Sequence, residues 1–206
     1  MSYMCQLMIH YRSFLYPYGM PEHTAAAERT RRAIILAGVE VLANNASAPL
    51  AEIAEAAEVS RSTFHRYFPD RAALKAAIGE VAAQNWQQAI TAARLEEGTG
   101  LEAFRRLCTE LMDRLDVLIW WMTELGEAEG MEESPEDRMI ATAITRGHQD
   151  GSIDPQLSVE WISNMVWAVL YAVRYIPSIA GTSDFEARQQ ALRTLLKAVA
   201  ADPSRI

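Results

Sequence analysis

A chain of 206 residues, half of them apolar, can bury a sizeable core but leaves room for no more than about two domains. Its formal net charge of −8 excludes binding to nucleic acid through bulk positive charge, so any such binding needs a local basic patch. Two cysteines, Cys5 and Cys108, suggest neither a disulfide framework nor a metal knuckle, and no apolar run approaches the roughly 18 residues of a membrane span.

Residues 1–25 show no sustained periodicity, and Met20 stands directly before the polar stretch from which a helical pattern emerges. The segment lacks the charged start and long apolar run of a signal peptide, so the expected compartment is the cytoplasm. Two readings stay open for it: a disordered arm or misassigned start, with translation beginning at Met20, and an ordered arm that packs or touches DNA.

From Thr30 to Asn45 the residues Ile34, Ala37, Val41 and Leu42 recur at helical spacing, and Asn44-Asn45 makes a stop. Ser47 and Pro49 mark a second start, with Leu50, Ile53, Ala54 and Ala57 as its apolar face. Ser60 is placed to cap a third short helix through Arg61 to Phe68, which Pro69 ends by removing a donor and disfavouring helical geometry at Phe68. Asp70 caps a fourth, from Arg71 to about Arg94. Further helices are predicted near 101–126, 136–150, 155–178 and 184–201, separated by the acidic loop at Glu132-Glu133-Ser134-Pro135, by Gly151 and by Gly181. The expected fold is all-α. Residues 26–75 form a three-helix helix-turn-helix unit, and residues 76–206 a larger helical domain for effector binding and dimerisation.

The charge divides unevenly between these parts. Residues 22–75 hold seven basic and seven acidic side chains, whereas residues 76–206 hold eleven basic against twenty acidic. Within the neutral part, the third helix has no acidic residue between Val59 and Pro69 and carries Arg61 and Arg66. Ser60, Arg61, Ser62 and Thr63 stand at its N-terminus, where free backbone donors favour phosphate and where a recognition helix presents side chains to base edges. Phe64 and Phe68, four apart, point to a core and leave Arg61, Ser62, His65 and Arg66 outward. Arginine binds guanine bidentately, hydroxyls reach bases or phosphates, and His65 or Tyr67 can donate to phosphate. Arg29, Arg31 and Arg32 add a basic cluster beside the first helix.

The run from Leu50 to Leu74 closely resembles the DNA-binding domain of the tetracycline-repressor (TetR) family: Ile53-Ala54 in the second helix, Val59-Ser60 before the third, Tyr67-Phe68 at its end, and Arg71 three residues before Leu74. The resemblance covers about residues 28–78. It implies a homodimer on double-stranded, roughly palindromic operator DNA, released by a small ligand in the C-terminal domain. It places Arg61, Ser62 and Thr63 at base or phosphate contacts, His65 and Tyr67 at phosphate contacts, and Arg71 at a phosphate clamp opening the fourth helix. Three residues depart from the family pattern. Glu58 replaces a turn glycine, which costs roughly 1 kcal/mol if its φ is positive. His65 replaces a common tyrosine, so its phosphate contact is open to titration near neutrality. Pro49 replaces a threonine and removes a hydroxyl.

Beyond residue 80 no nucleophile–base pair, glycine-rich phosphate loop or supported carboxylate pair occurs, so neither an enzyme nor a bound cofactor or metal is expected. Trp86, Met112, Trp120, Trp121, Met165, Trp167 and Tyr171 are candidates to line a pocket for an apolar or aromatic effector, with Glu124, Asn164 or Arg174 as polar anchors. Each aromatic alone fits ordinary core packing as well. Trp161, Met165, Val169 and Ala172 on one helix, and Leu192, Leu195, Leu196 and Val199 on the next, give a candidate four-helix dimer face. The favoured reading is a ligand-released repressor; the alternative is a helical ligand-binding or protein-interaction module that has lost DNA binding.

Overall fold

The computed structural model describes residues 25–125 and 134–205, apart from the side chains of residues 123–125, 178–180 and 205. The readings of the N-terminal arm and of Glu124 as an anchor therefore fall outside the described residues. Those residues form nine α-helices and a short 3₁₀ turn, Pro203–Arg205, with one isolated β-bridge between Ile153 and Ala200.

Helix α1 (Ala25–Asn44) begins five residues before the periodic pattern, because Ala25-Ala26-Ala27 favour helix without contributing a face. α2 (Leu50–Ala56) starts at Pro49 with no side-chain cap, and α3 (Arg61–Tyr67) starts at Ser60, whose hydroxyl accepts from the Thr63 N–H at 3.1 Å. The turn between them places Glu58 at φ 55°, the left-handed geometry that glycine adopts without a Cβ penalty. α4 (Arg71–Ala93) is capped by Asp70 and ends at Arg94 in the left-handed region. Arg106 closes that end by donating to the carbonyls of Ala93, Arg94 and Glu97.

The single helix predicted over 101–126 is two: α5 (Gly100–Asp113) and α6 (Leu115–Leu125), broken at Arg114 with φ −116° and ψ 20°. The apolar pattern runs through the break without interruption, which hides it in the sequence. Structurally, the Arg114 guanidinium donates to the Glu110 carbonyl at 2.9 Å and its carboxylate at 2.6 Å, satisfying a carbonyl that the break would orphan. α6 is thereby free to lean on α1 and α4 while α5 packs on α4 and α7. α7 (Pro135–Asp150) and α9 (Asp184–Val199) each open with a capping box, Ser134/Asp137 and Ser183/Glu186, and α8 (Val159–Ala180) is capped by Ser158.

Phe64 and Phe68, 1 % and 3 % exposed, anchor α3 into a core that runs without interruption from Ile34 to Val199. α1 and α4 cross closely at Gly38, where an added Cβ would lie 3.1 Å from Ile78. A tighter crossing joins α5 and α7: a Cβ on Gly100 would sit 2.2 Å from the backbone of Gly147, so these helices meet main chain to main chain. No described helix is long and apolar enough to cross a membrane.

Candidate nucleic-acid interface and ligand cavity

With its two phenylalanines buried, α3 turns Arg61, Ser62, His65 and Arg66 outward, and leaves Thr63 and Tyr67 half-buried along the sides. Ser60 serves first as the helix cap; its hydroxyl also lies 3.0 Å from that of Ser62 and 2.9 Å from that of Thr63. These three hydroxyls form one polar cluster at the positive end of the helix. The Arg66 guanidinium rests 5.4 Å from the Tyr67 ring centroid, which holds an exposed charge over a half-buried ring. His65 Nδ1 lies 3.3 Å from the Pro69 carbonyl; since a carbonyl only accepts, that contact is made by an Nδ1–H donor.

Two basic residues near this face are engaged within the fold. Arg71 donates to the carbonyls of Ala46, at 3.2 Å, and Ala48, so its guanidinium holds the α1–α2 loop that Pro49 leaves without a side-chain cap. Of the cluster at the start of α1, Arg29 and Arg32 are exposed, but Arg31 is tucked 5.7 Å over the Phe68 ring and 3.9 Å from the Glu80 carboxylate.

The second site is a cavity of about 90 Å³ between α4, α5, α7 and α8. Trp86 of α4 and Trp167 of α8 line it as a stacked pair, ring centroids 5.8 Å apart and planes 27° apart. The Trp86 indole N–H is buried without a hydrogen-bond partner, an unused donor beside the cavity. Phe104, Leu107 and Leu111 of α5 and Ile144 of α7 supply apolar wall. Two carboxylates break this lining: Asp137, in the first turn of α7, and Glu160, in the first turn of α8.

Burial pushes the Asp137 carboxyl up to about 6, against the opposing pull of its Ser134 hydrogen bonds and of Arg138. Glu160 is held below the usual carboxylate range by its own backbone N–H and by the Ser158 hydroxyl. The cavity therefore offers an aromatic stack, one orphan donor, one carboxylate that stays ionised and one that ionises near neutrality.

Of the seven pocket residues predicted from sequence, Trp86 and Trp167 line this cavity and five do not. Met112, Trp120 and Trp121 are buried in the core, the two tryptophans on α6 beyond the break at Arg114. Met165 is half-buried against the core, and Tyr171 lies one turn past Trp167, 44 % exposed and packed 4.7 Å from the Tyr175 ring. Asn164 is exposed and donates to the Glu160 carbonyl, and Arg174 points to α1 and α6 rather than the cavity. Asp137 and Glu160 escaped the sequence reading because acids in a first helical turn are ordinarily read as capping groups.

Residues 34–78 match the bacterial regulatory proteins of the tetR family. Over 153 residues, 72 % of this chain and 79 % of its relative, the sequence is 31 % identical to the HTH-type transcriptional repressor LfrR of Mycolicibacterium smegmatis. The crystal structure of LfrR from Mycobacterium smegmatis in complex with proflavine superposes with a TM-score of 0.56 at 28 % identity, covering 83 % of this chain and 96 % of that one. A gamma-butyrolactone receptor (ArpA-like protein) shares the fold, with a TM-score of 0.61 at 18 % identity over 87 % of this chain and 93 % of its own.

Proposed function

The chain belongs to the tetR family of bacterial regulatory proteins, DNA-binding regulators of transcription rather than enzymes, and from that premise we propose that it is a repressor released from its operator by a planar aromatic cation. The observation that carries the effector class is the stacked Trp86–Trp167 pair set beside the carboxylates of Asp137 and Glu160. Flat rings favour a flat aromatic guest, and acids at the edge of an apolar cavity favour one with positive charge. Proflavine, held by the related LfrR, has this chemistry.

The size of the cavity supports release rather than simple occupancy. About 90 Å³ is well below the roughly 300 Å³ at which small-molecule sites begin, so a three-ring guest enters by enlarging the cavity, displacing the helices that wall it. The closed form holds DNA and the open form holds the effector, which is the differential affinity that coupling requires. Ser60 to Thr63 of the recognition helix contact bases and phosphates, His65, Arg66 and Tyr67 contact the backbone, and Arg71 clamps phosphate through the side it does not use on the loop. Residues 26–75 act as the reading head and residues 76–206 as the sensor, with α4 crossing from one to the other. Such a regulator works where the DNA is, in the cytoplasm.

Dimerisation through α8 and α9 is supported by Trp161, Tyr171 and Ile176, 63 %, 44 % and 44 % exposed on α8, and by Phe185, 71 % exposed on α9. Of the α9 residues that the sequence offers for that face, Leu195, Leu196 and Val199 are buried within the subunit instead; the helix turns them onto its own core.

Selection of bound fragments from a random duplex pool, followed by titration of the winner with proflavine, tests the proposal. Recovery of a palindrome whose complex dissociates as proflavine is added is the expected result. Enrichment of no sequence refutes operator binding, and a complex that tightens with proflavine refutes release.

A further inference from the structure

Arg174 lies on α8 seven residues, two helical turns, after Trp167, and so on the same side of that helix. Its guanidinium reaches from the sensor to the end of α1. Nη2 donates to the Asn44 side-chain oxygen at 2.9 Å, and Nε lies 3.5 Å from the Asp116 carboxylate of α6 without the alignment of a hydrogen bond. The guanidinium also sits 5.5 Å from the Tyr175 ring centroid, which narrows the directions it can take. Asn44 is the last residue of α1, and its own amide donates to the Glu40 carbonyl at 2.9 Å, so its oxygen is aimed rather than free to rotate. Directly after Asn44 comes the α1–α2 loop, whose carbonyls at Ala46 and Ala48 are held by Arg71.

We propose that Arg174 is a positioning residue for the effector response: it ties the cavity-lining helix α8 to the end of α1 and so to the α1–α2 loop that Arg71 grips. The inference rests on the effector reading above and adds to it a second path. One path is α4 itself, from Trp86 back to Arg71, about 22 Å of continuous helix at 1.5 Å per residue. The other is α8, from Trp167 to Arg174 and across one side-chain hydrogen bond to Asn44. The two meet at Arg71, which opens α4 and grips the loop that follows Asn44. A guest that separates the stacked tryptophans pushes on both paths at once. With the second path cut, α8 moves without pulling on α1, and the reading head keeps its operator geometry in a larger share of liganded molecules.

The ion pair with Asp116 does little of this work. Arg174 Nε is not aligned for a hydrogen bond to that 73 % exposed carboxylate, whereas Nη2 makes an aligned bond to Asn44, which is therefore its stronger hold.

The test uses the full chain, the operator recovered by selection, and proflavine as probe. Arg174→Met keeps the aliphatic stem and removes the donors; Asn44→Ala removes the acceptor; Arg174→Lys keeps the charge without the fork. Each is measured for proflavine affinity by fluorescence, for operator affinity with and without saturating proflavine, and for hydrogen exchange at residues 45–49 without any ligand. In Arg174→Met and Asn44→Ala, proflavine and ligand-free operator affinities stay within about threefold of wild type. The proflavine-induced loss of operator affinity shrinks by about fivefold or more, exchange at 45–49 rises, and the double variant is no worse than either single one. Arg174→Lys restores part of the response. An undiminished proflavine effect in Arg174→Met, or additive losses in the double variant, overturns the proposal. If the wild type ignores proflavine, the effector reading falls, and the exchange arm decides alone: protection at 45–49 equal to wild type in Arg174→Met overturns the link.

Discussion

The recognition helix and the cavity sit at opposite ends of α4 and are built on opposite physical plans. The first is a seven-residue helix resting on two buried rings, with its polar groups displayed before any partner arrives. The second is a largely apolar cavity that opens to solvent, with two carboxylates in its lining, and is too small for the guest proposed for it. A preformed surface gives affinity at little cost in reordering, whereas a cavity too small for its guest gives a response, because filling it has to move something.

The sharpest way to break this contrast is Phe64→Ala. Removing a ring that is 1 % exposed costs about 3–5 kcal/mol, seen as a lower urea midpoint, and abolishes operator binding. If proflavine still binds, the two ends are separable; if binding is lost in the same transition, the continuous core makes them one cooperative unit.

Arg61→Ala comes next. It costs about 1–3 kcal/mol of operator binding if the guanidinium reads a base, with little effect on unrelated DNA and none on proflavine binding. An equal loss on all sequences would assign Arg61 to phosphate, and no loss at all would remove it from the interface.

At the cavity the corresponding lever is pH. Burial raises the Asp137 carboxyl from 3.8 to about 6, so lowering pH from about 7 to about 5 neutralises it and proflavine affinity falls up to about tenfold. Asp137→Asn flattens that profile. The same raised value favours the protonated folded state, a contribution complete below 3.8 and lost as pH climbs through about 6, so the asparagine variant also melts with less dependence on pH. A proflavine profile unchanged by the substitution would detach Asp137 from the guest.

The smallest effect belongs to the turn. Glu58→Gly relieves a left-handed residue at φ 55° and stabilises the fold by about 1 kcal/mol, read as a higher melting temperature. It also removes a negative charge beside α3, so operator binding tightens most at low salt. Operator affinity that stays put would place Glu58 beyond reach of the DNA.

How far each end is legible in the sequence follows from how it is assembled. The displayed helix is contiguous: the Phe64–Phe68 spacing, Ser60 as cap and Pro69 as stop all lie within ten residues, and burial confirms the outward set. Even the strained turn is visible, because Glu58 stands where a glycine is usual. The cavity draws on four helices, and helical period says that Trp86 and Trp121 are both buried without saying which neighbour each one meets. Arg174 shows the same limit: as an arginine among aromatics it reads as an anchor for a ligand, and only the fold carries it to Asn44.

The contact of Gly100 with Gly147 bears on where the push of an effector goes. At that crossing main chain meets main chain with no side chain to yield, so α5 and α7 are pinned to each other there. In the proposed release the wall that moves is then α8 with Trp167, against which α9 packs as it also does against α5. In the proposed homodimer that moving wall is also the seam between subunits. On that proposal, space made for the guest would come from the angle between the two halves, and each subunit's ligand would reset the distance between both recognition helices.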